Sequence, residues 1–301
     1  MSVSKRQTFS YLKQRFERLG LQPDTRHGQN FLIDLNLIEL IARTAELTRR
    51  DVVLEVGTGG GSLTALMAEK AGHVLSFEID PGLHQLASEE LAPHPNVSLF
   101  LQDALRNKNN LHPVVLEAID EWLGRIPNAR LKLVANLPYN IATPVISNLL
   151  STPHTPALMV ATIQKELADR LVARPGAKEY GALSVWVQSQ CAVKIARALA
   201  ASVFWPRPKV NSAIVRIEPL AERRERIPDR EFFHSFVRSL FLHRRKYLRS
   251  CLISAVKGTL DKSAVDEILS QLGHGPEART EQLSIEQLLA MTEAVRKRRT
   301  A

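Results

Sequence analysis

The most constraining feature of this 301-residue chain is an alternation of two periodicities between residue 34 and about residue 173. Short apolar runs, "VVLEVG" (52–57), "HVLSFEID" (73–80), "VSLFLQD" (97–103), "LKLVANL" (131–137) and "ALMVATIQ" (157–164), are each followed by a helix-patterned stretch. Near-continuous apolar runs suit strands covered on both faces, and strand-then-helix repeats require right-handed crossovers, hence parallel strands. Two further runs, "AVKIARAL" (192–199) and "SAIVRIEPL" (212–220), have no long helix between them and read as an antiparallel edge hairpin joined by "FWPRPKVN". After Pro219 only helical patterns remain, in "FHSFVRSLFLHRRKYLRSCL", "SAVDEILSQL" and "SIEQLLAMTEAVRKR". The expected fold is therefore α/β: a doubly wound, mostly parallel seven-stranded sheet with an antiparallel edge hairpin, plus a small C-terminal helical domain. The expected division is an N-terminal helical extension over 1–26, the α/β domain over 27–219 and a helical domain over 220–301.

The extension "SYLKQRFERLGL" places Leu12, Phe16 and Leu19 on one face, with Ser10 as a cap and Gly20 as a stop. A basic, Ser-containing amphipathic start also fits an organelle transit peptide, although Glu17 and the regular stop favour a structural helix. Charge is segregated. The chain carries +9 overall, with +4 in residues 1–30 and +5 in residues 221–250, so the rest is neutral. Two basic segments on a neutral body suit a polyanion, nucleic acid before an anionic membrane, against the alternative of a solvated charged face. No apolar stretch approaches the roughly 20 residues of a membrane span. Cys191 and Cys251 form no CxxC or Cys/His cluster and read as buried thiols, and no metal site is expected.

Three strand ends suggest a nucleoside site. "LEVGTGGGSLT" is a Gly-rich turn between strand and helix, and Gly57 sits where the backbone must approach a ligand. Glu78 ends the second strand, placed to accept from ribose hydroxyls, and Asp103 ends the third, placed to accept from an adenine amino group. Two adenosine ligands fit, a dinucleotide such as NAD or S-adenosylmethionine. Ser62 where a dinucleotide fingerprint has its third glycine, and a loop without Lys or Arg, favour S-adenosylmethionine, whose sulfonium suits an acidic pocket including Glu55.

The fourth strand runs into "ANLPYN", whose turn faces the same ligand crevice. The Asn136 amide oxygen and the Leu137 carbonyl can accept both hydrogens of an exocyclic amine, which aims its lone pair at a transferable methyl. Pro138 stiffens the turn, and Tyr139 offers a face to a flipped-out base. A plain Asn-Pro turn with a core tyrosine explains those four residues equally well in isolation.

The blocks "HGQNFLID" (27–34), "LEVGTGGGSLT" (54–64), "FEID" (77–80), "QDA" (102–104), "ANLPYNIATPVI" (135–146), "QKELADRLVARPGAKEYGALSV" (164–185), "VFWPRPKVNSAIVRI" (203–217) and "FLHRRKYLRSCL" (241–252) occur in one order along the chain. Together they resemble the small-subunit ribosomal RNA adenine N6-dimethyltransferases, whose loss gives kasugamycin resistance in bacteria. The resemblance implies a methyltransferase sheet and transfer of two methyl groups from S-adenosylmethionine to each of two adjacent adenines near the 3′ end of small-subunit rRNA during ribosome biogenesis. It implies cofactor contacts at Asn30, Leu32, Gly57, Glu78, Asp103 and Asn136, and base-stacking aromatics at Tyr139 and Phe204. The implied partner is rRNA within an assembling subunit, for a monomeric cytoplasmic enzyme that binds no membrane. Thr58 departs from the proline of many members, the insertion between Asp103 and Leu131 is long, and the first 26 residues exceed many members.

Phe204 is expected to stack on a base, whereas Trp205 is expected to fill core. Arg244, Arg245, Lys246 and Arg249 are candidate phosphate contacts on a helix, though they occupy more than one face. His73, His84, His94 and His112 read as surface residues. Two other functions stay open: a single-adenine methylase of large-subunit rRNA, related to macrolide resistance, and a non-catalytic RNA-binding protein on the same scaffold.

Overall fold

The computed structural model describes residues 9–23 and 28–300. His27 of the first block and the remaining residues of the extension lie outside that range. The strands are β1 (Phe31–Leu32), β2 (Asp51–Val56), β3 (His73–Glu78), β4 (Val97–Leu101), β5 (Leu105–Asn107), β6 (Asn110–Leu111), β7 (Arg130–Asn136), β8 (Leu158–Gln164), β9 (Cys191–Leu199), β10 (Phe204–Trp205) and β11 (Ser212–Pro219). Seven of them form one sheet in the order β4-β3-β2-β7-β8-β11-β9. The pairs β2–β3, β3–β4, β2–β7 and β7–β8 are parallel, and β11 is antiparallel to β8. Every residue of β2 and β3 is buried, as strands covered on both faces require. The two runs read as an edge hairpin, β9 and β11, do close one side of the sheet. The insertion after Asp103 adds the small β5–β6 ladder before the next helix.

The strand order reverses between β2 and β7. From β2 the chain winds outward through β3 and β4, then returns to the other side of β2. Consecutive crossovers therefore diverge above the carboxyl ends of these two strands, which is where open α/β sheets leave a crevice.

Helix α1 (Phe9–Arg18) buries Leu12 and Phe16, one turn apart on a single face. Ser10 lies inside its first turn and is not the expected cap. The expected stop holds: Gly20 takes φ +63°, and the Leu21 amide reaches back to the Phe16 carbonyl at 2.9 Å. Helix α2 (Leu35–Thr44) is capped by Asp34, whose carboxylate accepts from the Asn36 and Leu37 amides. Helix α3 (Ser62–Ala68) follows β2, and α4 (Pro81–Leu91) follows β3, capped by Asp80 with Pro81 in its first turn. Helix α5 (Pro113–Arg125) precedes β7, and α6 (Ala142–Ser151) follows it.

Contacts divide the chain into two compact units. The α/β unit comprises residues up to Ala168 with Lys194–Glu218, and the second comprises Asp169–Val193 with the chain from Pro219 onward. The contact division changes units between Glu218 and Pro219, groups Asp169–Val193 with the C-terminal helices and places α1 with the α/β unit. The second unit contains α7 (Lys165–Val172) from Asp169 on, α8 (Ala182–Gln188), α9 (Ala221–Glu225), α10 (Arg230–Leu240), α11 (Leu248–Ala255), α12 (Lys262–Gln271) and α13 (Ile285–Thr300). Within it, Trp186 packs on Phe233 and His234, and the buried Tyr180 hydroxyl donates to the Leu283 carbonyl at 3.0 Å.

Candidate active site

A cavity of about 380 Å³ opens at the carboxyl ends of β2, β3 and β7, a volume in the usual range of small-ligand pockets. Asn30, Leu32, Gly57, Glu78, Asp103, Asn136, Leu137, Pro138 and Tyr139 all line it. Residues far apart in sequence meet here, as in the hydrogen bond between Asn136 and Asn30, 106 positions apart.

Gly57 shows why the loops can converge. Its φ is +85°, and a Cβ there would meet Pro138 Cδ at 3.1 Å and Cγ at 3.2 Å. Glycine thus permits both the left-handed turn and the seating of the Pro138 ring against it. Glu78 is held by three backbone donors: the Gly59 amide to Oε2 at 2.9 Å, and the Ile79 and Asp80 amides to Oε1 at 2.9 and 3.0 Å. A carboxylate has about four acceptor positions, so Glu78 keeps about one for a ligand hydroxyl, in a fixed direction. Burial raises its pKa above the usual carboxylate value, against the opposing pull of those amides. Asp103 Oδ1 accepts from the Leu105 amide at 2.8 Å.

Asn136 Nδ2 donates to the Asn30 carbonyl at 2.9 Å. With its nitrogen committed there, the side-chain oxygen is the group left to accept from a ligand. The Leu137 amide donates to the Thr162 carbonyl, and the Pro138 carbonyl accepts from Ile141 and Ala142 as α6 begins. The Tyr139 hydroxyl shares a 2.6 Å hydrogen bond with Ser212 on β11. Burial raises the Tyr139 pKa, with that bond pulling the other way.

Beneath the Gly-rich turn lies a buried hydroxyl–carboxyl network that motif reading missed, apart from naming Glu55. Glu55 and Ser76 are cross-strand neighbours on β2 and β3. Glu55 Oε2 accepts from Ser76 Oγ at 2.5 Å and Thr64 Oγ1 at 2.6 Å. Ser76 spends its single proton on Glu55, so Thr58 is the donor in the 2.7 Å bond between Thr58 and Ser76. Burial pushes the Glu55 carboxyl up to about 8, despite the Ser76 and Thr64 bonds and aided by the charge of Glu78. The legible signal was a serine inside "HVLSFE", since a hydroxyl in a wholly buried strand needs a buried partner.

No Lys, Arg or His lines this cavity among the described residues, while Glu55, Glu78 and Asp103 do. An uncompensated pyrophosphate fits such a lining poorly and a cationic nucleoside fits it well, in line with the S-adenosylmethionine that the sequence favours. The family description "Ribosomal RNA adenine dimethylase" matches residues 20–297. The chain belongs to the ribosomal RNA adenine dimethylase family. It is 40% identical over 265 residues to the "Ribosomal RNA small subunit methyltransferase A" of Halothermothrix orenii, covering 88% of this chain and 85% of that one. The protein of the same name from Lactiplantibacillus plantarum is 40% identical over 278 residues, 92% of this chain and 91% of that one. Among solved structures, a dimethyladenosine transferase from Plasmodium falciparum superposes with a TM-score of 0.74 at 22% identity, covering 88% of this chain and 97% of that one. The 23S rRNA methyltransferase ErmE superposes with a TM-score of 0.62 at 28% identity, covering 88% and 99%.

In this adenine dimethylase three expectations need correction. Phe204 does not present a ring to the cavity. It is 2% exposed and packs with Ile38, Ile41, Leu199 and Ile214, held there by antiparallel pairing of β10 with β1, Leu32 opposite Phe204. Trp205 packs against Phe16 and Phe31 as expected of core. The basic cluster is not on one helix: α10 ends at Leu240, a 3-10 turn covers Phe241–His243, and Arg244, Arg245 and Lys246 are exposed in the loop before α11. Arg249 is on α11 in a two-bond ion pair with Asp266, at 2.6 and 2.8 Å, and Arg244 donates to the Ala177 carbonyl at 2.9 Å. His73 is buried, stacked on Trp122 and bonded to Ser98 at 2.8 Å, because its strand is covered on both faces.

Proposed function

We propose that the cavity binds S-adenosylmethionine and that the chain methylates N6 of two adjacent adenines near the 3′ end of small-subunit rRNA, giving N6,N6-dimethyladenosines. The acid-lined cavity at the β2–β7 switch point, with no Lys, Arg or His lining it among the described residues, carries this reading. When bound, the cofactor supplies an electrophilic methyl on a sulfonium.

The chain's residues do the rest by placement. Glu78, fixed by three amides, orients the ribose, while Asp103 and the backbone at Gly57 and Leu32 complete the nucleoside seat. Asn136 Oδ1 and the Leu137 carbonyl accept the two amine hydrogens, so the nitrogen lone pair points at the methyl carbon. Tyr139, anchored by Ser212, stacks on the extruded base. Alignment of this kind supplies most of the rate in an in-line displacement. No base is required in the transition state, because the methylated ammonium is acidic enough to release its proton to solvent afterwards. The second transfer repeats the geometry on the monomethyl amine.

Arg244, Arg245 and Lys246 of the C-terminal unit contact RNA phosphates in this reading, and Arg249 serves the fold through Asp266. The enzyme acts as a cytoplasmic monomer on an assembling subunit. No helix among the described residues is long and apolar enough to cross a membrane.

The test is mass spectrometry of rRNA from naked RNA, immature subunits and mature subunits after incubation with enzyme and S-adenosylmethionine. Two neighbouring dimethyladenosines in small-subunit rRNA are expected. One dimethylated adenine in large-subunit rRNA would instead favour an activity like that of the 23S rRNA methyltransferase ErmE, and no methylation would favour an RNA-binding scaffold.

A further inference from the structure

The N-terminal helix, which enters none of the roles above, reaches the cofactor cavity. Leu12, on the inner face of α1, is one of its lining residues and is 6% exposed. It packs in a cluster with Phe16, Phe31, Leu83 and Leu86. Ile79, immediately after Glu78, and Leu83 on α4 also line the cavity. Ile79 is 48% exposed, an apolar side chain beside the ribose-binding acid for which a nucleoside is the natural cover.

The attachment of α1 is specific. Phe16 meets the Phe31 and Trp205 rings edge-on, at 5.2 and 5.1 Å, the geometry aromatic pairs prefer. On its outer side, the Tyr11 hydroxyl donates to Glu90 at 3.0 Å and Arg15 pairs with Glu89 at 2.5 Å, both acceptors being on α4. After the helix, Leu21 Cδ2 sits 2.3 Å from where a Cβ on Gly82 would stand. A side chain at position 82 would displace this segment from the first turn of α4.

We propose that α1 is a wall of the cofactor site, and that Leu12 is a further S-adenosylmethionine-binding residue, closing the nucleoside side of the cavity with Ile79 and Leu83. This rests on the cofactor reading above. It gives the N-terminal segment a binding role, distinct from targeting and from RNA contact. Because α1 docks through an apolar cluster and polar links to α4, its docking and cofactor binding should reinforce each other, each ordering what the other needs.

Two measurements on the full chain test this with S-adenosylhomocysteine as the probe. By calorimetry, Leu12→Ala should weaken binding about five- to tenfold, the loss expected for part of one leucine's apolar contact. Phe16→Ala, which loosens the helix without touching the cavity, should give a similar loss. By hydrogen exchange, the amides of Phe9–Arg18 in the unmutated protein should exchange more slowly when the probe is bound. Equal affinity of both variants and the parent would overturn the inference, as would α1 exchange unaffected by saturating probe. Failure of the unmutated protein to bind either S-adenosylmethionine or the probe would sink the cofactor reading itself, and this inference with it. Should Leu12→Ala not fold, Phe16→Ala and the exchange of the parent protein still decide.

Discussion

Replacing Glu55 with Gln turns the buried network under the Gly-rich turn into a measurement. In the folded chain burial lifts the Glu55 carboxyl from 4.5 to about 8. The folded state therefore keeps a proton that the unfolded chain releases near the lower value. This group's contribution to stability is complete below about pH 4.5 and is lost as pH rises through about 8, at roughly 1.4 kcal/mol per pH unit within that window. Between about pH 6.5 and pH 8 the loss integrates to about 1.5 kcal/mol, allowing for half-ionisation at the upper end. Two histidines run in the opposite sense. Burial lowers His73 and His234 from 6.5 to about 4, so their contribution is absent at low pH and complete only well above 6.5. The unfolded chain's histidines are still half-protonated at about pH 6.5, and His274 is lowered by burial too. Stability therefore gains a smaller opposite change between about pH 6.5 and 8, and only the difference between parent and variant isolates Glu55. A Gln at this position does not titrate, yet its carbonyl can still accept from Ser76 and Thr64. Urea denaturation of ligand-free protein at both ends of the window should show the parent losing about 1.5 kcal/mol relative to Glu55→Gln. Parallel pH dependence of the two proteins would refute the reasoning.

The other expectations concern single groups. Glu78→Ala should weaken S-adenosylmethionine binding by roughly 1.5–3 kcal/mol in calorimetry, as for a hydrogen bond to a charged partner. Asn136→Ala should slow single-turnover methyl transfer by roughly 10²-fold, with a smaller loss of cofactor affinity, because the amine loses its alignment. Tyr139→Ala should remove roughly 1–3 kcal/mol of base stacking from RNA turnover, whereas Tyr139→Phe keeps the ring and loses only the Ser212 bond. Phe204→Ala should behave as a core truncation, lowering unfolding stability by roughly 3–5 kcal/mol; unchanged stability with depressed RNA turnover would restore its stacking role. Replacing Arg244, Arg245 and Lys246 with Gln should lower the log–log salt slope of RNA binding by about 0.7–0.9 per lost phosphate contact, while Arg249→Gln leaves it unchanged.

The sheet was legible because its strands carry their burial in their composition: "VVLEVG", "LKLVANL" and "SAIVRIEPL" fall within a residue or so of β2, β7 and β11. The cavity residues were legible because Gly57, Glu78, Asp103 and Asn136 interrupt or end those runs with groups a buried strand would avoid. Phe204 was misjudged because its neighbours Pro206 and Pro208 suggest an exposed loop, while the pairing that buries it, Phe204 opposite Leu32, joins segments remote in sequence. The basic run read as helix because its apolar spacing continues past Leu240, whereas the turn at Phe241–His243 leaves Leu242 exposed at 73%. Leu12 was correctly placed on an inner face, but periodicity says nothing of what that face covers.

The second compact unit is assembled from two stretches of chain, Asp169–Val193 and the part from Pro219 onward, with two sheet strands made in between. During synthesis its first stretch therefore emerges well before its partners. Tyr180 must wait for Leu283, 103 residues later, which at ribosomal speeds is roughly 5–20 s. Until then Tyr180 lacks that acceptor, and for part of the same interval Trp186 lacks Phe233 and His234. A chain stopped at residue 219 would leave the Tyr180 hydroxyl without Leu283 and the Trp186 ring without Phe233 and His234 permanently, so removing the C-terminal helices does not yield a clean α/β unit.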